Sequence, residues 1–335
     1  MSIKGIRTLV TGAEGFIGSH LTEALVEQGA SVTALCLYNS FDRQGWLDDL
    51  PDSVRTRLTI QRGDIRDAAF TRRIVKGHDI IFHLAALIAI PYSYVAAESY
   101  VETNMLGSVN LFEAARESGV ARIIHTSTSE VYGTALTLPI TEGHPLQGQS
   151  PYSASKIGAD MMAEAYVRSF ELPVVVLRPF NSYGPRQSER AVIPTVIRQV
   201  IDPRCPVIKI GDGSTVRDFT FVEDTVAAFL AVAQSSDIEF GRPYNAGTGK
   251  AVSIAEMIEI VLDITRCKKP VEQEPERMRP SFSEVRALLA DSSRLATAVG
   301  WHPRVQLSDG LARTIAWWRS RLSDEKIRRE SDFVR

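Results

Sequence analysis

The segment that most constrains this chain is Gly12-Ala13-Glu14-Gly15-Phe16-Ile17-Gly18, set between the apolar run Ile6–Thr11 and the helical pattern Phe16–Gln28. Ile6–Thr11 reads as a strand, and Gly29 is a natural C-terminal stop for the helix. Glycines at this spacing permit a tight turn, close approach of backbone to a pyrophosphate, and close helix–strand packing. The helix N-terminus adds free N–H groups and a partial positive charge. Three glycines alone are weak evidence, since such turns punctuate many folds. A strand before and a helix after favour a dinucleotide site.

The alternation continues. Ser31–Leu37, Leu58–Arg62 and Ile80–Leu84 read as strands, followed by helix Thr103–Ser118, strand Arg122–Ser127, helix Pro151–Phe170 and strand Val174–Arg178. Strands alternating with helices predict an α/β fold, a Rossmann-like doubly wound parallel sheet. After Pro179 the texture changes, as Pro185, Pro194, Pro206, Pro243, Pro275 and Pro303 break the chain into short pieces. We therefore expect a dinucleotide-binding domain over 1–180 and a smaller, loop-rich C-terminal substrate domain over 181–325. The two interleave, because Phe219–Phe229 and Pro243–Gly247 look like elements returning to the sheet. The charged run from Asp324 onward predicts a frayed end.

Composition excludes several alternatives. A net charge of -2 gives no basic field for nucleic acid. Three distant cysteines, Cys36, Cys205 and Cys267, make neither a disulfide framework nor a metal knuckle and suit a reducing compartment. Six histidines lack paired ligand spacing, so no metal is expected, and His83 and His125 read as hydrogen-bonded core residues. The apolar stretch from Ile80 is interrupted by His83 and stopped by Pro91, well short of the ~20 residues of a membrane span. The expectation is a soluble cytoplasmic protein without membrane partners.

Dinucleotide folds usually carry Asp or Glu about 20 residues after the glycine loop to hold the adenosine ribose. That place falls here at Cys36, followed by Leu37-Tyr38-Asn39-Ser40. Asn39 is the substitute hydrogen-bonding group the sequence offers. No basic residue stands at that place to hold a 2′-phosphate, although Arg43 is near, so NAD is expected and NADP stays open. Asp64 follows the third strand, where its carboxylate either receives the adenine amino group or forms an Asx-type turn.

The sharpest signal is Tyr152-Ser153-Ala154-Ser155-Lys156. Ser150 reads as an N-cap and Pro151 as the first helical residue, so Tyr152 and Lys156 share one face at the start of a helix. An ammonium beside a phenol stabilises the phenolate, which can then take a proton from a sugar hydroxyl. Tyr-x-x-x-Lys on a helix is usually packing plus a solvated charge. It gains specificity beside the run Thr126-Ser127-Thr128-Ser129-Glu130 at the end of the fifth strand, where open parallel sheets place their sites.

The glycine loop, Asp64-Ile65, His83-Leu84-Ala85-Ala86, Ser127-Thr128-Ser129-Glu130, Tyr152/Lys156 and Arg178-Pro179-Phe180-Asn181-Ser182-Tyr183-Gly184-Pro185 occur in this order. Together they resemble the extended short-chain dehydrogenase/reductase family of nucleotide-sugar epimerases, dehydratases and decarboxylases, over nearly the whole chain. Tyr38-Asn39-Ser40-Phe41, Gly45-Trp46-Leu47-Asp48, Ala86–Tyr94 and Gly184-Pro185-Arg186-Gln187-Ser188 more narrowly resemble the GDP-N-acetylglucosamine 4,6-dehydratases of legionaminic acid biosynthesis.

The resemblance implies a 4,6-dehydratase acting on an NDP-hexose such as GDP- or UDP-N-acetylglucosamine. Thr128 would bond the sugar 4-hydroxyl, Tyr152 would be the base, Lys156 would hold the nicotinamide ribose, and Glu130 would remove the C5 proton. Gly12, Gly15, Phe16, Ile17, Gly18, Asp64, Ile65, Leu84, Ala85 and Ala86 would line the cofactor. Asn181, Arg186, Arg217 and Arg279 would hold the substrate, although Arg217 also reads as a surface salt bridge to Asp218 or Glu223. Ser129 departs from the family, since many hexose dehydratases carry Asp there to protonate the leaving 6-hydroxyl. A 4-epimerase or UDP-glucuronate decarboxylase shares the same motifs. A non-catalytic dinucleotide sensor would typically lack Tyr152 or Lys156, and both are present. Relatives pair the helices corresponding to Thr103–Ser118 and Pro151–Phe170 across a dimer axis, so a homodimer is expected through faces carrying Leu106, Leu111, Phe112, Met161, Met162 and Tyr166.

Overall fold

The alternating pattern closes into one seven-stranded sheet with every neighbouring pair parallel. The computed structural model describes residues 2–321, so the charged run from Asp324 lies outside the described residues. The strands are β1 (Arg7–Thr11), β2 (Ser31–Leu37), β3 (Leu58–Gly63), β4 (Ile80–His83), β5 (Arg122–Thr126), β6 (Val174–Pro179) and β7 (Pro243–Ala246). They lie in the order β7-β6-β5-β4-β1-β2-β3. The chain winds outward from β1 through β2 to β3, then returns and winds the other way from β4. The crevice at the carboxyl ends of β1 and β4 is therefore the topological switch point, where such sheets bind ligands.

Burial on both faces explains the near-continuous apolar strands. In β1, Val10 joins the core that contains Leu21 and Leu25 of helix α1 (Phe16–Glu27), and Leu9 joins the opposite one. That second core holds Phe112 of α2 (Gly107–Ser118) and Ala163 and Tyr166 of α3 (Pro151–Phe170). Gly29 has φ +83 just past α1, the left-handed conformation in which glycine is least strained. Ser150 caps α3 in a reciprocal box with Ser153, behind Pro151 at the first turn.

The helix expected over Thr103–Ser118 starts earlier and is not uniform. A short α-turn, Ala97–Tyr100, runs into a π-helical stretch, Val101–Leu106, before α2. Two tertiary contacts hold this stretch. The Asn104 amide bonds both backbone groups of Leu87 and the Ser155 hydroxyl, and Gly107 lies under Ile65, where a methyl group would fall 2.6 Å from Cδ1.

Beyond β6 the pieces are short. Thr220–Phe221 pairs with Ser182–Tyr183, Ala251–Ser253 with Val216–Asp218, and Val271–Gln273 with Ile208–Ile210. Two later elements return to the first half: β7 completes the sheet edge beside β6, and α4 (Val222–Gln234) packs on α1. Among the described residues, no helix is long and apolar enough to cross a membrane.

Candidate active site

The strand ends open into one cleft of about 1340 Å³. That exceeds the usual 300–1,000 Å³ of a single small-ligand pocket, so two sizeable molecules fit side by side. Gly12, Gly15, Phe16, Ile17, Gly18, Asp64, Ile65, Leu84, Ala85 and Ala86 line it, as do Thr128, Ser129, Glu130, Tyr152, Lys156, Asn181, Arg186 and Arg279. The sequence scatters these residues over most of the chain; the fold brings them together.

The glycine loop is shaped by close approach. Gly12 has φ +68, and a methyl group there would lie 2.9 Å from the Ala85 backbone. At Gly18 it would fall 2.1 Å from the Gly12 carbonyl oxygen. Gly15 is less confined, and no side chain caps the α1 N-terminus there. Uncapped N–H groups over a bare loop fit a dinucleotide pyrophosphate.

Asn39 and Arg217 depart from their expected places on the cleft wall. The Asn39 amide donates to the Arg43 and Leu37 carbonyls and accepts from the Phe41 and Arg43 N–H groups, so it folds its own turn. Arg43 lines the cleft instead. Asp64 both lines the cleft and makes the alternative Asx turn, accepting the Arg66 N–H at 2.9 Å and the Arg66 guanidinium. That guanidinium bond holds its carboxyl below the ordinary range.

Tyr152 and Lys156 lie at the mouth of α3, 7% and 4% exposed. Burial raises the Tyr152 phenol; the Thr128 hydroxyl bond opposes that rise, and nearby Glu130 adds to it. Burial lowers the Lys156 ammonium to about 8, against the pull of Asp160. Lys156 Nζ donates to the Thr126 carbonyl at 2.6 Å, which joins α3 to the end of β5. Ser129–Tyr132 forms a single 3₁₀ turn whose cap, Thr128 Oγ1, accepts the Glu130 N–H. That turn brings Glu130 to the cleft wall.

Asp160, one turn beyond Lys156, has no assigned role in the sequence reading. Its carboxylate accepts from Ser127 Oγ and from two nitrogens of Arg178, while Arg178 also donates to the Tyr132 hydroxyl. Burial pushes Asp160 up, but His125, Arg178 and Ser127 outweigh it and hold the group near 2. The i, i+4 step from Lys156 was the available signal; its partners on β5 and β6 were not visible in sequence.

His83 has its proton assignment fixed by its neighbours. Thr11 Oγ1 accepts the Leu84 and Ala85 N–H groups, so its own proton points to His83 Nδ1 at 2.9 Å. Ser108 donates to the Asn104 carbonyl, so His83 Nε2 carries the proton that Ser108 Oγ accepts. The ring is neutral, and burial sets its pKa well below the usual value. This chain positions Leu84-Ala85-Ala86. Among the described residues, no group of three or more His, Cys, Asp or Glu could hold a metal.

Behind the cleft lining, Arg217 is buried and pairs with Glu284 at 3.1 Å, rather than with Asp218 or Glu223. Arg279 lies 3.7 Å from the same carboxylate. Arg186 donates to Glu23, and its Nη1, Asn181 Oδ1 and Gln187 Oε1 are buried without hydrogen-bond partners among the described residues. Tyr94 bonds Ser283, which donates to the Gln149 carbonyl, fastening the Arg279 loop across the cleft.

A parallel sheet with a glycine turn at its switch point and a buried Tyr–Lys pair facing a hydroxyl-rich strand end defines the extended short-chain dehydrogenase/reductase class. Comparison with known proteins narrows it. The family described as GDP-mannose 4,6 dehydratase matches residues 9–314. A dTDP-glucose 4,6-dehydratase of Actinoplanes is 35% identical over 328 residues, covering 95% of this chain and 99% of the relative. A dTDP-glucose 4,6-dehydratase of Streptomyces venezuelae, solved with NAD bound, superposes with TM-score 0.84 at 32% identity, covering 94% of this chain and 97% of that one. A UDP-N-acetylglucosamine 4-epimerase of Methanobrevibacter ruminantium superposes with TM-score 0.85 at 32% identity, over 95% and 99%. The chain belongs to the NAD-dependent epimerase/dehydratase family, among the nucleotide-sugar 4,6-dehydratases and epimerases.

Proposed function

We propose that this protein is a nucleotide-sugar 4,6-dehydratase that converts an NDP-hexose, GDP- or UDP-N-acetylglucosamine, to the 4-keto-6-deoxy sugar. The observation that carries the reading is Glu130, a carboxylate on the cleft wall two residues from Thr128 and on the same cleft as Tyr152. Oxidation at C4 needs only Tyr152, Lys156 and Thr128; a further base at C5 is what elimination requires.

NAD is the cofactor, and when bound it supplies a hydride acceptor at C4 and later a donor at C6. The residues do the rest. Thr128 orients the 4-hydroxyl, and Tyr152 takes its proton. Tyr152 is raised by burial in the free protein, so it becomes a competent base only once positive charge stands beside it, which Lys156, one turn along α3, and the bound nicotinamide would supply. The 4-ketone acidifies C5–H, Glu130 removes that proton, and the 6-hydroxyl leaves as water. Ser129 is a weaker acid than the usual Asp, so Glu130 returns its proton to the leaving group. When hydride adds at C6, C5 takes a proton from solvent that balances the one Tyr152 gave up after taking it from the 4-hydroxyl. Asn181 and Arg186, with buried unpartnered atoms, and Arg217 and Arg279, joined through Glu284, hold the diphosphate and nucleotide. Residues 181–321, apart from the elements that return to the sheet, form the substrate half in this reading, and the protein works as a homodimer.

A 4-epimerase is the second reading, because the Methanobrevibacter epimerase superposes as closely as the dehydratase. Mass spectrometry of products from GDP-, UDP-, dTDP- and CDP-sugars separates the possibilities. Loss of one water supports the dehydratase, an unchanged mass the epimerase, and loss of carbon dioxide a decarboxylase.

A further inference from the structure

The end of β2 lacks the acid that usually receives the adenosine ribose, and Asn39 closes its own turn. A carboxylate nevertheless stands at that place, supplied from the glycine loop. Glu14 Oε1 accepts the Leu37 N–H at 2.8 Å, bridging from the β1–α1 turn to the last residue of β2. Its second oxygen, Oε2, is buried and has no hydrogen-bond partner among the described residues. Glu14 lines the cleft with Gly12, Gly15, Leu37 and Gly63.

The carboxylate is also held in place. The Trp46 backbone N–H donates to the Glu14 backbone carbonyl at 3.0 Å, and Gly45, at φ +56, leaves only 2.9 Å between a methyl group's position and Glu14 Cβ. Trp46 packs edge-on against Trp317, and Arg321 bonds Asp49 in the same turn. Burial alone would make an acid unfavourable at this position, and two N–H bonds offset only part of that cost. One oxygen fixed and one left over is the arrangement of a group that receives a ligand donor.

We propose that Glu14 replaces the missing acid of β2: its Oε2 accepts the 2′-hydroxyl of the adenosine ribose of NAD, and the same carboxylate disfavours the 2′-phosphate of NADP. The inference rests on NAD as cofactor and not on the dehydratase reading. Arg43, which also lines the cleft, is the feature that would favour NADP.

The test is equilibrium binding of NAD, NADP and nicotinamide 2′-deoxyadenine dinucleotide to the full chain freed of bound nucleotide. A charge-assisted hydrogen bond is worth roughly tenfold or more in affinity, so the wild type should bind NAD at least about tenfold tighter than the deoxy analogue or NADP. Glu14→Gln keeps an acceptor for Leu37 but loses the charge. It should weaken NAD by a similar factor and bring all three ligands within a few-fold of one another. A Glu14→Gln protein with the wild-type preferences intact would overturn the proposal. So would wild-type protein that binds NAD and the deoxy analogue equally or prefers NADP, results that do not depend on the variant folding. Wild type that binds none of the three would overturn the cofactor itself, a distinct failure.

Discussion

Lys156 donates to the Thr126 carbonyl on β5 while Asp160, one turn along α3, is locked to Arg178 on β6. One helix thus holds the candidate proton-transfer pair at its start and a buried ion pair just behind it. The ion pair sets the register between α3 and the strands on which Thr128 and Glu130 depend.

Removing one partner of a buried ion pair leaves the other charge stranded, at about 3–5 kcal/mol. Asp160→Asn should therefore lower unfolding stability in urea by about that amount at neutral pH. The Asp160 carboxyl is depressed from 3.8 to about 2 in the folded chain, so its contribution is complete above 3.8 and is lost as pH falls toward 2. The gap between wild type and variant should hold from neutral pH to about 4 and narrow below. A constant gap of under about 1 kcal/mol would show that the pair does not carry this load.

The glycine loop separates two failures. Gly18→Ala puts a methyl group 2.1 Å from the Gly12 carbonyl oxygen, so it should lower the melting temperature with or without NAD. Gly15→Ala meets only Gly12 O at 3.3 Å, with no left-handed φ to strain it. It should melt near the wild type yet lose most of its stabilisation by added NAD, because the methyl group sits at the α1 N-terminus. Thermal denaturation with and without NAD reads both.

The faces proposed for dimerisation are narrower than the sequence suggests. Leu111, Phe112 and Tyr166 are core residues and Met162 is half-buried against them, leaving Leu106 at 49% exposure and Met161 at 43%. The two segments pack together, with Met105 lying over Gly158 one turn from Met161. Light scattering at micromolar protein should give twice the chain mass, and Leu106→Glu with Met161→Glu should give one chain mass without unfolding. A wild-type monomer would remove the proposal.

Glu130→Gln divides the reaction. With substrate added, bound NAD should still be reduced, seen as nicotinamide absorbance, but no water should be lost and turnover should fall about 10²–10⁴-fold. Tyr152→Phe should lose both steps, since without a phenolate no ketone forms to acidify C5. Turnover of Glu130→Gln within a few-fold of wild type would take Glu130 out of the mechanism and favour an epimerase.

The elements that local chemistry specifies were legible in sequence. Ser150 and Pro151 start α3, Gly29 ends α1, and the strand-turn-helix around Gly12 needs no distant partner. What sequence did not show depends on contacts between distant segments. Glu14 reaches Leu37 only because β1 and β2 are neighbours in register, Thr11 opposite Leu35. The Asp160–Arg178 pair needs α3 to lie across β5 and β6, and the π-helical stretch exists because Asn104 is tied to Leu87 and Ser155. Asn39, two residues past β2, stands where a ribose contact is expected, but its amide has a nearer set of backbone partners in its own turn.

Elimination through C5 is the central claim, and the mass of the product formed in D₂O tests it most directly. A dehydratase working through Glu130 should give a product lighter by one water that carries a single solvent-derived deuterium, because the C5 proton exchanges with solvent while hydride at C6 comes from C4 of the same sugar. A product of unchanged mass with no deuterium, or one lighter by carbon dioxide, would contradict it.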